Sequence, residues 1–254
     1  MHMPRSDFRT PRLYVQAPLH LGANVLLDAL QTNHLVNVLR LREGELVLVF
    51  NGRDGEWEAT LVSASKRRFS LTIGAQRRPQ TLPADFHLLF APLKHARLDY
   101  MVQKAVEMGA SRLQPVITRH VQVARVNIGR MHANAIEAAQ QCGILTLPEI
   151  CAPLGLEQIV ADMDPSRLLV FCDEDAPVKD PVAALSAARS AHAREALAVA
   201  VLIGPEGGFA SEERAVLGGL ANVVRLSLGP RILRADTAAV AALALVGAVL
   251  GDWR

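Results

Sequence analysis

The sequence predicts an α/β protein in which a small β-rich domain precedes a larger domain with a mostly parallel sheet. The first 75 residues contain several short strand patterns separated by polar turns, which is typical of a small β-barrel. From Phe86 onward, apolar strand patterns alternate with amphipathic helix patterns, as in βαβ units. We therefore expect one domain at residues 1–78 and a second at residues 79–254.

Composition and charge limit the function classes. Half of the 254 residues are hydrophobic, which is enough for a large core. Residues 1–80 carry 11 Lys and Arg against 7 Asp and Glu, so a polyanionic partner is one interpretation and an ordinary solvated surface is another. The three cysteines lack CxxC spacing, and the N-terminus has no apolar signal segment. We expect a cytoplasmic protein that binds neither membrane nor DNA.

The N-terminal domain is expected to consist of short strands and turns. A polar stretch, Gln76–Pro83, contains two prolines and is expected to be a linker. The expected elements before it are a strand from Arg12, a short helix at Asn33–Arg40, a strand at Glu45–Phe50, a turn at Asn51–Gly55, a strand at Trp57–Val62, a turn at Lys66–Arg68 and a strand at Phe69–Ile73.

The C-terminal domain is expected to alternate strands with helices. Its first helix, His95–Met108, has an apolar stripe and ends before Gly109, a residue suited to a helix stop. Further strands are expected at His87–Phe90, Leu113–Ile117, Leu168–Cys172, Ala198–Ile203 and Val223–Leu228, and further helices at Arg130–Cys142, Pro181–Ala196 and Ala238–Leu250. The last helix is strongly apolar but too short to cross a bilayer.

Two glycine-containing loops near the C-terminus are the strongest functional signal. The first, Gly204–Phe209, follows a buried strand and precedes a helix for which Ser211 is the expected N-cap. The second, Leu226–Thr237, follows the next strand. Each loop alone is equally consistent with an ordinary strand–helix turn. Together they indicate a ligand site beyond the carboxyl ends of parallel strands, where Asp173–Asp175 is also expected.

Several common chemistries are disfavoured. No GxxxxGK[ST], HExxH or GxSxG motif is present, and the histidines have no metal-ligand spacing, so we expect no metal. The first βα turn of the larger domain, Ala91–Lys94, has no glycine, which disfavours a standard dinucleotide-binding or Rossmann-type methyltransferase fold.

The two loops resemble the signature loops of the SPOUT superfamily of methyltransferases. The closer resemblance is to the bacterial family that methylates N3 of a uridine in 16S ribosomal RNA. The stretches that carry it are Gly204–Phe209, Leu228–Ala238, Lys94 with Lys104–Gly109, Glu137–Gly143, Arg12 with Tyr14, His34–Gly44 and Phe50–Gly52. Two departures are Ile144, where the family usually has Arg, and Ala235-Asp236, where it usually has Thr-Glu.

This resemblance implies a fold and a cofactor. The N-terminal domain would be a PUA-like RNA-binding barrel, and the C-terminal domain would contain a deep trefoil knot and form a homodimer, with Ala238–Leu250 as an interface candidate. S-adenosylmethionine would bind bent in the knot. The residues implied for its binding are Ile203, Gly204, Pro205, Gly207, Gly208, Leu228, Gly229, Ile232, Leu233 and Thr237.

The implied reaction requires uridine N3 to lose its proton. We expect Arg234 to stabilise the uridine anion, and Asp236 or Glu206 to accept the proton. An Arg234–Asp236 pair that only orders the loop is the structural alternative. The target base must also leave its stack. Residues expected to contact the RNA are Arg12, Arg40, Arg42, Lys66, Arg67, Arg68 and Arg119.

Three functions are consistent with the sequence. The first is methylation of 16S rRNA, free or in the small ribosomal subunit. The second is methylation of another RNA site by a SPOUT enzyme, such as a ribose hydroxyl in transfer RNA. The third is an RNA-binding relative without catalytic activity, which the intact glycine loops argue against.

Overall fold

The computed structural model describes residues 10–65, 68–123, 125–177, 180–192 and 197–253. These residues form two compact units. One contains the chain up to Leu82 together with Ala139–Leu147, and the other contains Pro83–Ala138 and Pro148 onward. The domain boundary between residues 78 and 79 stays a prediction.

The first unit is built on a five-stranded sheet with the order β1-β3-β4-β5-β2. Its elements are β1 (Arg12–Tyr14), β2 (Asn24–Leu26), α1 (Ala29–Thr32), a π-helical segment (Asn33–Val38), β3 (Leu46–Phe50), β4 (Glu56–Ser65) and β5 (Arg68–Arg78). Strands β3, β4 and β5 pair antiparallel, whereas β1 and β3 run parallel. Apolar side chains such as Leu35, Val47 and Leu61 form a separate core.

The turn and linker predictions for this unit have different outcomes. The turn at Asn51–Gly55 is confirmed, since Gly52 and Gly55 have the positive φ angles that such a turn requires. The linker prediction is wrong for Gln76–Arg78, because β5 continues to Arg78 and pairs with Glu56. Lys66 and Arg67 lie outside the described residues.

A buried ion network explains why β5 extends to Arg78. Glu56 accepts hydrogen bonds from Arg12 at 2.7 Å and from Arg78 at 2.7 and 2.8 Å. Arg12 also donates to the carbonyls of Ala139, Gln140 and Ile144, and Arg78 donates to that of Gly143. Strand β5 therefore supplies Arg78 as a counter-ion, which the buried Glu56 carboxylate needs to stay ionised.

The second unit contains a parallel sheet with the order β12-β10-β11-β6-β7-β8, and β9 pairs with β7. Its strands are β6 (Phe86–Phe90), β7 (Arg112–Ile117), β8 (Glu149–Ile150), β9 (Leu154–Gly155), β10 (Leu168–Cys172), β11 (Val199–Ile203) and β12 (Val223–Leu226). Its helices are α2 (His95–Glu107), α3 (Ile128–Cys142, whose end belongs to the first unit), α4 (Leu156–Ala161), α5 (Pro181–Ala191), α6 (Ser211–Gly218) and α7 (Ala235–Val249). The strand pairs in this sheet are parallel, which confirms the α/β prediction.

Helix α2 agrees closely with its sequence pattern. The stripe of Leu98, Met101, Val102, Ala105 and Val106 is buried, and Gly109 has a φ of 84° after the helix end. The apolar period therefore predicted both the helix and its buried face.

The helices α6 and α7, which flank the two glycine-containing loops, start at other residues than expected. Helix α6 has Ala210 rather than Ser211 as its N-cap, and the Glu213 carboxylate accepts the Ala210 N–H at 2.8 Å. Helix α7 begins at Ala235 rather than Ala238, with Arg234 as its N-cap. The acidic Asp236 in its first turn favours this earlier start. Among the described residues, no helix is both long and apolar enough to cross a membrane.

Candidate active site

A cleft lies where three neighbouring parallel strands end. The loops after β12, β10 and β11 meet at this edge because these strands are adjacent and parallel. The cleft has a volume of about 540 Å³. Its lining includes Cys172, Asp173 and Glu174, the loop Ile203–Phe209, and the segment Ser227–Ala235 with Ala238.

The loop Gly204–Phe209 is closely packed. An added Cβ at Gly204 would lie 2.4 Å from the Phe209 ring, so the chain has no room there for a side chain. Phe209 is buried and contacts Phe171 edge-on, with 5.0 Å between ring centroids. Gly208 has a φ of 68°, and an added Cβ would lie 2.8 Å from a Glu174 carboxylate oxygen. The first loop is therefore shaped by its glycines.

Asp173 anchors this edge of the sheet. Its side chain is fully buried, and its carboxylate accepts hydrogen bonds from Arg214 at 3.2 Å and from Arg225 at 2.7 Å. Arg214 also pairs with Glu174 at 2.7 Å and with Asp175 at 3.1 Å. The two arginines therefore neutralise much of the negative charge of Asp173–Asp175. Arg214 also connects α6 to the loop after β10. The sequence predicts the acidic residues at this edge but contains no pattern that points to Arg214 and Arg225 as their partners.

Cys172 lies at the cleft but is unsuited to nucleophilic chemistry. Burial, with a smaller contribution from the Asp173 charge, raises the pKa of Cys172 to about 12. The thiol is therefore protonated near neutral pH, and the nucleophilic thiolate is scarce.

The second loop is open to solvent. Ile232 is 92% exposed, and Arg234 is exposed at the N-terminus of α7. Among the described residues, no ion pair joins Arg234 to Asp236, whose carboxylate instead accepts the Thr237 N–H at 3.0 Å. Arg234 lines the cleft, whereas Asp236 and Thr237 lie outside that lining. The structural alternative of an Arg234–Asp236 pair is thus absent from this part of the molecule.

A second cleft of about 200 Å³ follows at the same sheet edge. It is lined by Pro92, Leu93, Lys94, Arg97, His120, Gln122, Val123, Pro205 and Glu206. Pro205 and Glu206 line both clefts. The Glu206 carboxylate forms an ion pair with Arg97, a residue that no sequence pattern marks as functional. Arg97 is the third residue of α2 and is partly exposed. A single arginine at such a position is common on helices and does not indicate a function.

The residues expected to contact RNA differ in accessibility. Arg40, Arg42, Arg68 and Arg119 are exposed, and Arg119 lies 3.5 Å from Glu212. Arg12 is only 8% exposed, and its guanidinium is engaged by Glu56 and three carbonyls. Its expected RNA contact is therefore corrected to a structural role, since a buried guanidinium cannot reach a phosphate. Lys66 and Arg67 are outside the described residues.

The larger cleft suits a small ligand with apolar and hydrogen-bonding parts. Within the described chain, the backbone N–H groups of Leu228, Gly229 and Leu233 have no hydrogen-bond partner. Ile203, Leu228 and Leu233 provide apolar surface beside these donors. A pocket of this volume with a few oriented polar groups is typical of sites for cofactor-sized molecules. These residues fit S-adenosylmethionine, which has an adenine ring, a ribose and a charged amino-acid end.

Comparisons with known proteins find similar domains and similar whole chains. A model of an RNA methyltransferase domain matches residues 80–247, and a model of an RNA methyltransferase PUA domain matches residues 27–74. Ribosomal RNA small subunit methyltransferase E of Rickettsia conorii is 29% identical over 92% of this chain and 94% of its own. The protein of the same name from Synechocystis is 30% identical over 94% of this chain and 78% of its own.

A solved structure has a similar fold. It is a ribosomal RNA small subunit methyltransferase E from Neisseria gonorrhoeae bound to S-adenosyl methionine, with a TM-score of 0.83 and 27% identity. The match covers 96% of this chain and all of that one. With a parallel sheet, a cleft of backbone loops at its edge and a family model matched over most of its length, this chain belongs to the RNA methyltransferase family.

Proposed function

We propose that this protein transfers a methyl group from S-adenosylmethionine to N3 of a uridine in 16S ribosomal RNA. The observation that carries the proposal is the cleft at the ends of β10, β11 and β12, with Arg234 at its rim. The relatives named as small-subunit rRNA methyltransferases, and the structural neighbour that binds S-adenosyl methionine, support both cofactor and substrate.

The cofactor would be held chiefly by backbone groups. Ile203, Gly204, Leu228, Gly229 and Leu233 line the cleft, and the last three offer N–H groups. When bound, S-adenosylmethionine supplies an electrophilic methyl group on a positively charged sulfur. Thr237 lies outside the cleft lining, so we do not assign it a direct contact with the cofactor.

The protein's own residues would handle the proton and the charge on the base. Lowering the pKa of uridine N3 by two units takes about 2.7 kcal/mol, which one or two charged hydrogen bonds supply. Arg234 is exposed at the cleft and available for this role. Glu206 lines the cleft whereas Asp236 does not, so we favour Glu206 over Asp236 as the proton acceptor.

The expected dimer, knot and RNA contacts follow from the resemblance to the same family. We propose that the protein acts as a cytoplasmic homodimer with α7 at the interface, that its C-terminal unit contains the trefoil knot, and that the first unit contacts rRNA through Arg40, Arg42 and Arg68. Light scattering after size-exclusion chromatography tests the dimer. A mass of one chain, about 27.5 kDa, would contradict it.

Methyl transfer to small ribosomal subunits lacking the modification tests the reaction. Labelled S-adenosylmethionine is supplied, and the nucleosides are then analysed by mass spectrometry. Labelled 3-methyluridine is expected. A different methylated nucleoside would move the protein to another SPOUT activity, whereas cofactor binding without transfer to free rRNA or subunits would favour a relative that lacks catalysis.

A further inference from the structure

The second cleft lies beside the first along one edge of the sheet. Its walls come from the loops after β6, β7 and β11, which are neighbouring parallel strands. The loop after β11 contributes Pro205 and Glu206 to both clefts. A ligand in the second cleft and a cofactor in the first would therefore both contact Pro205 and Glu206.

The second cleft has an excess of positive charge, because Lys94 and Arg97 outnumber Glu206 among its lining residues. Lys94, Arg97 and His120 line it, and α2 begins directly after Lys94. The N-terminus of a helix of 13 residues adds positive potential and N–H groups that have no partner within the helix. The cleft is thus built for a small ligand that carries or develops negative charge.

Arg97 and Glu206 combine a cation with a proton acceptor in this cleft. The ion pair uses Nη1 of Arg97, and among the described residues no other hydrogen bond of its guanidinium is found. Since arginine has five N–H donors, several stay available to a ligand while the pair persists. Both side chains are partly exposed, at 38% and 47%, so a ligand can reach them.

We infer that the second cleft receives the flipped target pyrimidine and that Arg97 is a further catalytic residue. The inference rests on the proposed function. The volume of the second cleft, about 200 Å³, is below the usual range for sites of drug-sized ligands and suits a single base. The Glu206 carboxylate accepts the N3 proton: the N–H bond breaks, an O–H bond forms and the electron pair stays on the ring. Arg97 and Lys94 stabilise the negative charge that spreads onto the O2 and O4 atoms.

The test compares Arg97→Gln with a matched control, Arg130→Gln. Arg130 pairs with Asp99 on the surface of the same unit and lines neither cleft. Calorimetry with S-adenosylmethionine is expected to give wild-type affinity for both variants, because Arg97 lies outside the first cleft. The single-turnover rate on small subunits is expected to fall by about 10²-fold for Arg97→Gln only, the scale of acid–base and charge stabilisation effects.

A modified substrate separates charge stabilisation from a structural role. Small subunits are reconstituted with 16S rRNA containing 5-fluorouridine, whose N3 proton is more acidic. The rate defect of Arg97→Gln should shrink by about tenfold on this substrate, equivalent to about 1.4 kcal/mol.

The outcomes are distinct. An Arg97→Gln variant with the wild-type rate, or with the same defect on both substrates, overturns the inference while the proposed function stands. A wild type that makes no 3-methyluridine overturns the proposed function and this inference with it. Loss of cofactor affinity in Arg97→Gln would also overturn it, by showing that Arg97 acts through the first cleft.

Discussion

At the scale of single residues, Glu56 shows how a buried charge is tolerated. Burial opposes its ionisation, but hydrogen bonds from Arg78 and Arg12 outweigh this effect and lower the pKa of Glu56 below its ordinary value of 4.5. The carboxylate is thus held ionised between two guanidinium groups. Glu58, two residues further along β4, pairs with Arg77 in a more exposed position.

Replacing Glu56 should destabilise the first unit strongly. Glu56→Gln leaves the buried charges of Arg12 and Arg78 without a counter-ion, which typically costs about 3–5 kcal/mol. The control Glu58→Gln should cost about 0–1 kcal/mol, as expected for a more exposed pair. Urea unfolding measures both. Equal losses in the two variants would contradict a special role for the buried network.

The stabilisation by Glu56 is expected to depend on pH. Because the folded pKa of Glu56 is depressed, its contribution to stability is fully present above pH 4.5 and is lost as the pH falls through the folded value. The difference in unfolding free energy between wild type and Glu56→Gln should therefore shrink on acidification below pH 4.5. A difference that stays constant to lower pH would show that the carboxylate charge is unimportant.

Arg234 is the residue with the clearest expected effect on catalysis. Arg234→Ala should retain S-adenosylmethionine binding, because the cofactor is proposed to be held by backbone groups. Its rate of methyl transfer should fall by about 10²-fold through loss of the cation. Calorimetry and single-turnover kinetics measure the two effects, with Arg130→Ala as an exposed control outside both clefts. Full activity of Arg234→Ala would refute the assignment.

At the scale of elements, the loop after β11 is the least tolerant part of the site. Gly204 lies against the Phe209 ring, which is itself fixed on Phe171. Arg214 joins the following helix to Asp173 and Glu174. The loop is therefore held at both ends, as a preorganised backbone site requires.

Gly204→Ala should impair cofactor binding. The added methyl group would overlap Phe209, and the ring cannot move away without disturbing the packing beneath it. We expect S-adenosylmethionine affinity to fall at least about tenfold, or about 1.4 kcal/mol. Gly218→Ala in α6 is the control, because a Cβ there meets no atom within 4 Å. Calorimetry that finds equal affinities would exclude a tightly packed loop.

At the scale of the whole molecule, the excess basic charge of residues 1–80 is expected to act on RNA. Charge reversal of Lys66, Arg67 and Arg68 should weaken rRNA binding and lower its dependence on salt, since fewer counterions are released from the phosphates. Binding measured across a salt series tests this. An unchanged salt slope would show that RNA is held elsewhere, for example at Arg40 and Arg42.

The sequence alone predicted the type of most long elements and the position of the main cleft, but it gave no sign of β2, β8, β9 or α4. Local patterns predict the stripe on α2, the strand Leu168–Cys172 and the two glycine loops. Apolar period and loop composition can be interpreted without knowing which distant residues pack nearby. Element ends were less well predicted. The earlier start of α7 and the extension of β5 depend on a helix N-terminus and on the buried Glu56, which loop or linker composition does not reveal.

Only the tertiary structure decided how charged residues are used. Arg12 and Arg97 are equally plain arginines in the sequence, yet one is buried against Glu56 and the other meets Glu206 beside a cleft. Arg214 and Arg225 reach Asp173 across 41 and 52 residues of chain. Such partners are set by the order of parallel strands, which brings distant loops to one edge. The role of a charge therefore depends on burial and on neighbours that are remote in sequence.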